Sequence, residues 1–577
     1  MNPATAFAEA VADELVRSGV TEAVLAPGSR SAPLALALLR RAQAGDLRLH
    51  VRIDERSAAF LALGLAKASR RPVPVLCTSG TAAAHLHAAV IEADEAGIPL
   101  LVLTADRPPE LRGTGASQTI DQLKLYGSAV RWFAEAGVPE DRPGAGGYWR
   151  SLASKAWAMA AGTAGGFPGP VHLNLPLREP LTPAPGEVAA PVPAGAPPAR
   201  LHRPVEVPAE AAVRSLAAAL ASARRPLLVA GELRDGEALR EPMDALLGRL
   251  DAPLLAEPTS QLRRRCAAGL VEAYDALLRD AAWADAHRPD LVVRLGAPPT
   301  SKTLNQFVAG ADAPVVVVDG DGWRDPEQQA AELVRGDPAL LLAALAERLP
   351  ADPAGGWQRT WMGAGAVAAA ALERRLAGPP LHEGQAVRAL AAALPPDAQV
   401  VIGSSMPIRD ADTFWPAAEP GQRFLANRGA SGIDGVVSTA LGAAAAAPGR
   451  PTALLIGDLS LYHDMNGLWA ARRHGLRATI VVLDNDGGGI FGFLPQADHP
   501  DVFEELFGTP LGLRLADVAR LYDLGYREVS EAAELPAALR SALAADGTTL
   551  VRVAFDRAGS VAGHRACWAA VSAALRH

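Results

Sequence analysis

Asp458, Asn485 and Gly487 are the residues of this 577-residue chain whose types and spacing most directly imply chemistry. An apolar stretch, Thr452 to Ile456, ends in Gly457-Asp458, and a helical stretch follows. A second apolar stretch, Thr479 to Leu483, ends in Asp484-Asn485-Asp486 and the glycines Gly487, Gly488 and Gly489. Two successive parallel strands would deliver a carboxylate, an amide oxygen and a free carbonyl to one sheet edge. Such hard oxygens suit Mg²⁺ that also holds phosphate oxygens. The carboxyl ends of parallel strands are where open α/β sheets bind ligands. The alternative is an ordinary βαβ unit in which Asp-Leu-Ser merely caps a helix.

A second carboxylate, Glu55, lies in HVRIDERSAAFLALGLA at 50–66, at the junction of a strand and an amphipathic helix. There it either favours the helix dipole or sits in a poorly hydrated crevice, where a raised pKa suits proton sharing. Arg30 lies in a Pro-Gly-Ser-Arg turn, Arg107 follows a strand, Arg409 and Arg428 lie near strand ends, and Lys302 lies in TSKTLNQF. Arginine forks are the preferred partners of carboxylates. A solvated surface charge is the alternative for each, but turns at strand ends are where ligands bind. The set would suit acidic small molecules.

The elements that must position these residues follow from alternation. Strands are predicted at Ala23–Ala26, Leu49–Ile53, Val73–Cys77, Leu100–Thr104 and Val171–Leu175, with helices such as Ala32–Arg41 and Ser57–Ser69 between them. Strands alternating with helices of this length imply a parallel sheet covered on both faces. Nine prolines between Pro180 and Pro208 are too many for a regular element, so 181–208 reads as a linker. The alternation restarts with apolar runs at 226–231, 290–296 and 313–322. An irregular stretch, 349–356, and an alanine-rich helix from Trp357 to Leu376 lead to further strands at 399–404, 423–427, 452–457, 479–484 and 549–555. The expectation is an α/β chain of three consecutive doubly wound parallel-sheet domains, at 1–180, 209–350 and 357–577. No short internal repeat suggests a solenoid.

Composition bounds the function. A hydrophobic fraction of 49% with 20% charged residues describes a folded chain. The net charge of −8 gives no general attraction to nucleic acid. Cys77, Cys266 and Cys567 are far apart and form no CxxC, which argues against a disulfide framework or a zinc site and fits a reducing, cytoplasmic setting. Glu9, Asp13 and Glu14 interrupt the amino terminus, so no signal peptide is expected. The longest uncharged apolar stretch, Val436 to Pro448, is too short to cross a bilayer.

The Asp458–Asn485 spacing resembles the diphosphate-binding motif of thiamine diphosphate-dependent enzymes, a Gly-Asp-Gly followed about 25 residues later by Asn-Asn. Leu459 and Asp484 depart from that pattern. APGSRSAPL at 26–34, TSGTAAAHLHAAVIEA at 78–93, LTADRPPELRGTGASQTIDQ at 103–122, NRGASGIDG at 427–435 and GDLS at 457–460 are similar to the menaquinone-pathway carboligase branch of that family. The resemblance covers all three domains and is weakest in the linker and central domain. It implies a transferase that decarboxylates 2-oxoglutarate and adds the succinyl carbanion equivalent to isochorismate. The products would be 2-succinyl-5-enolpyruvyl-6-hydroxy-3-cyclohexene-1-carboxylate and CO₂. It also implies a pyrimidine-binding domain at 1–180, a diphosphate- and metal-binding domain at 357–577, and a homodimer or homotetramer that uses Mg²⁺ or Mn²⁺.

By the same resemblance Glu55 hydrogen-bonds N1′ of the aminopyrimidine and favours the tautomer that takes the proton from the thiazolium C2. Ser79, Gly80, Leu459, Ser460 and Gly488 flank the cofactor, Ile433 supports its bent form, and Asp458, Asn485 and the Gly487 carbonyl hold the metal. Gln118, Ser405, Arg409 and Arg428 go with the 2-oxoglutarate-derived group. Ser29, Arg30, Arg107, Ser117 and Lys302 go with isochorismate, and Phe491 and Leu494 line the pocket. Some members carry asparagine where this chain has Ser117 and a second basic residue where it has Thr303.

Two other readings fit part of the pattern. Another thiamine diphosphate-dependent 2-oxoacid decarboxylase or carboligase would share Glu55, Asp458 and Asn485, but a small neutral acceptor does not require so many cations. A non-catalytic homologue would be expected to lack at least one of those three residues.

Overall fold

A computed structural model describes residues 2–183, 201–202, 204–264, 267–320, 322–350, 355–419 and 421–576. Cys266 and most of the proline-rich stretch lie outside them; Cys77 and Cys567 are buried free thiols. Among the described residues no helix is long and apolar enough to cross a membrane.

Three parallel sheets organise the chain. The first contains β1 (Glu22–Leu25), β2 (Arg48–Val51), β3 (Val73–Cys77), β4 (Leu100–Asp106), β5 (Trp132–Glu135) and β6 (Val171–Pro176), in the order β2-β1-β3-β4-β6-β5. The second contains β7 (Pro226–Ala230), β8 (Leu254–Ala256), β9 (Leu291–Leu295), β10 (Val315–Val318) and β11 (Ala330–Val334), in the order β11-β10-β9-β7-β8. The third contains β12 (Gln399–Ile402), β13 (Arg423–Ala426), β14 (Thr452–Gly457), β15 (Thr479–Asp484), β16 (Gly525–Val529) and β17 (Thr549–Ala554), in the order β13-β12-β14-β15-β17-β16. Counted from its own first strand, the third sheet repeats the order of the first. Each order reverses beside its first strand, at β1/β3 and at β12/β14, which makes those two points the expected ligand crevices.

The central strands are continuous apolar runs because helices cover both faces; β3, β4 and β15 are buried along their whole length. Four strands escaped prediction: β5, β8, β11 and β16. All four are sheet edges. An edge strand is flanked on one side only, so β5, β11 and β16 are partly exposed and show no unbroken apolar run. β8 is buried but has three residues, too few for periodicity to register.

Two compact units emerge. One comprises Met1–Pro204, Asn427–Gly449 and His463–Leu476; the other comprises Val205–Ala426, Arg450–Tyr462 and Arg477–His577. In the first unit, helix Glu55–Ser69 packs against helix Val436–Ala446 through small residues. A Cβ at Gly64 would lie 2.0 Å from the Thr439 carbonyl oxygen, and one at Gly442 would lie 2.2 Å from the Leu61 carbonyl oxygen. That close approach holds the Glu55 helix in place. In the second unit, one apolar core runs from β7 and β9 through Trp361 to β12, β14 and β17.

Candidate functional site

Next to the β12/β14 reversal, the loops that follow β14 and β15 in the second unit meet. Asp458 opens a helix directly after β14 and is 6% exposed. One carboxylate oxygen accepts a hydrogen bond from the Gly487 amide at 2.7 Å, after β15. Gly487 has φ 140°, and a Cβ there would lie 2.0 Å from the Gly508 carbonyl oxygen, so glycine is required. Burial, then the charge of Asp484, pushes the Asp458 carboxyl up to about 7. Asn485 Oδ1 is buried and accepts no hydrogen bond among the described residues. A crowded carboxylate beside an unsatisfied amide oxygen is a donor set that a divalent cation would satisfy, so these residues fit a metal–diphosphate group.

The two departures from the family motif also have structural settings. Asp484, in the place of the first asparagine, pairs with Arg552 Nε at 2.5 Å and accepts from the Asp486 amide at 3.1 Å. Leu459 is half-buried in the first helical turn. Asp486 is exposed and accepts from the Leu511 and Gly512 amides at 3.0 and 2.9 Å, so its carboxylate caps a neighbouring loop. Ser460 is buried, and Gly488 donates to the Gly508 carbonyl at 2.7 Å.

On the β12 side, Ser405 has φ 71° and ψ −129°, a region that side chains rarely adopt, and precedes helix Met406–Phe414. The Ser405 carbonyl accepts from Arg409 Nη1 at 2.5 Å. Strained non-glycine residues concentrate at functional loops; Gln118, Ser431 and Asp486 share a positive φ. Phe491 is half-buried against Phe507, with ring centroids 5.6 Å apart, and Leu494 is half-buried beside it in sequence. Lys302 opens helix Lys302–Ala309, whose cap Ser301 accepts from Leu304 N. Lys302 is exposed and bonds to none of the other candidate residues, and Thr303 is half-buried.

In the first unit, the helix that follows β2, the edge strand beside β1, begins at Glu55, two residues earlier than expected. Asp54 is the reason: its side chain caps the helix, accepting from Arg56 N at 2.9 Å and Ser57 N at 3.4 Å. Glu55 is thereby spared capping. Its carboxylate is half-buried and has no hydrogen-bond or ion-pair partner among the described residues. The Cys77 thiol is pushed up by burial and by the charge of Glu55.

After β3, Ser79 and Gly80 are buried; Gly80 has φ 85° and donates to Gln122 Oε1 at 2.9 Å. Exposed Gln118 donates to the Ser79 carbonyl at 3.0 Å. Arg107 donates to the Ser117 carbonyl from Nη2 at 3.2 Å. Arg30 is 6% exposed, donates to the Leu177 carbonyl at 2.9 Å and lies 3.4 Å from Glu179. Burial, then the charge of Arg107, lowers its pKa. Ser29 beside it is exposed. Arg428 and Ile433 are half-buried, in a loop whose Gly429 and Ala430 amides donate to Glu92 at 3.0 and 2.7 Å.

Sequence reasoning missed the buried polar groups on the Arg409 helix. Asp410 accepts from His564 Nε2 at 2.8 Å, Asp412 accepts from Tyr274 at 2.6 Å, and Thr413 donates to Asp275 at 3.0 Å. The one available signal was RDADT at 409–413, which puts polar side chains on every face of a short helix. His382, Glu383 and His564 also cluster within 4.8 Å. A metal there is disfavoured: His382 Nδ1 accepts from Gly384 N, which leaves the proton of a neutral ring on Nε2.

Comparison with known proteins agrees with this geometry. Residues 5–125 match the thiamine pyrophosphate enzyme N-terminal TPP binding domain, and residues 408–553 match the C-terminal TPP binding domain. The fold is similar to benzoylformate decarboxylase from Polynucleobacter necessarius, with a TM-score of 0.70, 21% identity, and coverage of 96% of this chain and 99% of that one. Two 2-succinyl-5-enolpyruvyl-6-hydroxy-3-cyclohexene-1-carboxylate synthases are much nearer in sequence. The Thermobifida fusca enzyme is 48% identical over the whole of both chains. The Geobacillus kaustophilus enzyme is 46% identical over 97% of each. A likeness of that extent is not confined to the TPP-binding modules, and the chain belongs to the 2-succinyl-5-enolpyruvyl-6-hydroxy-3-cyclohexene-1-carboxylate synthase family of thiamine pyrophosphate enzymes.

Proposed function

We propose that the protein decarboxylates 2-oxoglutarate and joins the remaining succinyl unit to isochorismate, releasing CO₂ in menaquinone biosynthesis. The observation that carries this reading is the buried, unsatisfied Asn485 Oδ1 in the loop whose Gly487 amide bonds to Asp458, with the Ser405–Arg409 turn following β12, the strand paired with β14. Thiamine diphosphate, when bound, supplies the nucleophilic carbon and the electron sink for decarboxylation. Asp458, Asn485 and the Gly487 carbonyl would hold Mg²⁺ or Mn²⁺ and so the cofactor's diphosphate, with Leu459, Ser460 and Gly488 around them. Glu55 holds a proton at N1′ of its aminopyrimidine, a role that a carboxylate without a protein partner is free to take. Ser79 and Gly80 would flank its ring, and Ile433 would pack against it.

Arg409 and Arg428 bind the distal carboxylate of 2-oxoglutarate, with Gln118 and Ser405 orienting the donor. Arg30, Arg107 and Lys302, with Ser29 and Ser117, bind the carboxylates of isochorismate. Phe491 and Leu494 exclude water. The buried free thiols Cys77 and Cys567 support a reducing, cytoplasmic setting.

The decisive assay is isochorismate-dependent CO₂ release from 2-oxoglutarate; its absence with cofactor and Mg²⁺ present would overturn the reading. If pyruvate matched 2-oxoglutarate as donor, a related decarboxylase or carboligase would be favoured instead. We further propose a homodimer or homotetramer in which Glu55 of one chain and Asp458 of another serve the same cofactor. Mixing inactive Glu55→Gln and Asp458→Ala chains should then restore part of the activity. No recovery in verified mixed dimers would argue for sites within single chains.

A further inference from the structure

We infer that Asp275 is a positioning residue that ties the Lys302 helix to the Arg409 helix and so sets where the two acidic substrates are held. This rests on the substrate assignments proposed above. Asp275 lies in the short helix Tyr274–Leu277 and is 4% exposed. One carboxylate oxygen accepts from Ser301 Oγ at 2.6 Å. The other accepts from Thr413 Oγ1 at 3.0 Å and from Arg279 Nε at 3.2 Å. Ser301 caps the helix that Lys302 opens, and Thr413 stands one turn beyond Arg409 on helix Met406–Phe414. A single carboxylate therefore joins two elements that are far apart in the chain, each presenting a cation assigned to a different substrate.

The surroundings show that this tie is built rather than incidental. Arg279 lies over the Trp568 ring at 3.7 Å, which fixes the guanidinium facing Asp275. Tyr274, the preceding residue, donates to Asp412 at 2.6 Å. Arg263 donates to the carbonyls of Asp412 at 2.5 Å and Trp415 at 2.7 Å. The end of the Arg409 helix is thus gripped from the central domain at several points. Two hydroxyl donors and an arginine converging on one group require acceptors on both of its oxygens, which aspartate supplies and asparagine does not. An apolar contact would stabilise the fold at least as well as this buried network, but it would not hold the two helices in one register.

The test uses the full-length protein with thiamine diphosphate and Mg²⁺, and measures KM for each substrate, kcat and thermal unfolding. Thr413→Val should raise KM for 2-oxoglutarate, and Ser301→Ala should raise KM for isochorismate, each about five- to tenfold. Asp275→Asn should raise both, with kcat at saturation within about threefold of the native enzyme. Adding Thr413→Val to Asp275→Asn should bring little further change in KM for 2-oxoglutarate, because that tie is already cut. A purely structural role predicts a lower Tm and a smaller active fraction with both KM values unchanged, and that result overturns the inference. If Asp275→Asn fails to fold, the two single hydroxyl variants decide the matter by the same KM criterion. If the native enzyme itself shows no isochorismate-dependent CO₂ release, the substrate assignments fall first and this inference falls with them.

Discussion

Asp106 and Asp410 each adjoin a candidate arginine in sequence, and the chain secures them by different chemistry. Asp106 is fully buried in the first unit, accepts from the Arg107 amide at 2.7 Å and Asn174 Nδ2 at 2.9 Å, and forms an ion pair with Arg112, whose Nη2 lies 2.9 Å away. From Asn174 the network runs through Gln122 to Gly80 and through Thr104 to His172. Burial drives the His172 pKa down to about 3, so that ring stays neutral. Asp410 instead accepts from His564. Burial opposes a charge on that ring, but its hydrogen bond to Asp410 and the nearby carboxylates push it up to about 9. Glu383 beside them is raised by burial and by Asp410, and His382 is lowered to about 3 by burial and by His564. Beyond the Asp106–Arg112 pair, amides and a neutral ring carry the first support, whereas ionisable groups carry the second. Above about pH 7, where His172 is neutral folded or unfolded, the first should therefore respond little to pH and the second strongly; the depressed His172 pKa acts only on the acid side.

The largest effect is expected at Glu55, which neither network touches. Glu55→Gln should lower kcat by about 10²–10⁴-fold while leaving Tm and cofactor affinity nearly unchanged. Hydrogen–deuterium exchange at C2 of bound cofactor should slow in parallel. Normal exchange in this variant would sink the assignment.

Next come the arginines that the two networks support. A hydrogen bond to a charged group contributes roughly 1.5–3 kcal/mol, about ten- to over a hundredfold in binding. Arg409→Ala should weaken 2-oxoglutarate turnover by that factor in single-turnover experiments without isochorismate. Arg107→Ala should leave that half nearly intact and impair the isochorismate-consuming half. Equal defects in both halves for both variants would erase the distinction between the two regions.

The comparison itself is tested by pH. A group whose folded pKa is raised contributes stability that is fully present below its unfolded value, near 6.5 for histidine, and is lost as pH rises through the folded value of about 9. Native Tm should therefore fall between pH 7 and 10, and His564→Gln should flatten that fall, a change of about 1–3 kcal/mol. Asn174→Ala, in the other network, should lower Tm by the same amount at pH 6 and pH 9. A pH-dependent Asn174→Ala effect, or a His564→Gln profile parallel to the native one, would break the contrast.

The smallest effect is expected at Ser117. Arg107 bonds to its backbone carbonyl, so Ser117→Asn should change KM for isochorismate by less than about threefold. A larger change would mean that the side chain faces substrate directly.

The strands that matter most to the site were legible as sequence. β14 and β15 are continuous apolar runs, and their boundaries at Thr452–Gly457 and Thr479–Asp484 follow from where polar residues and glycines interrupt them. The candidate carboxylates were legible for the same reason, since Glu55 and Asp458 mark strand-to-helix junctions. The supporting residues were not. Nothing local distinguishes Gln122, Asp275 or His564 from polar residues on a solvated face; each acquires its partners from distant parts of the chain.

By itself, then, the sequence determined the α/β class, the buried strands and the junction residues, because local periodicity and turn chemistry depend only on neighbours along the chain. Tertiary structure decided the edge strands β5, β11 and β16, whose one-sided burial leaves a weak pattern. It also decided the strand order shared by the first and third sheets, which no sequence repeat announces. It decided that segments 427–449 and 463–476 join the amino-terminal unit, and that buried charges support Arg409 while amides support Gly80. The physical reason is common to all four: strand pairing, burial and the desolvation of a charge are set by groups remote in sequence, and they exist only once the chain has folded.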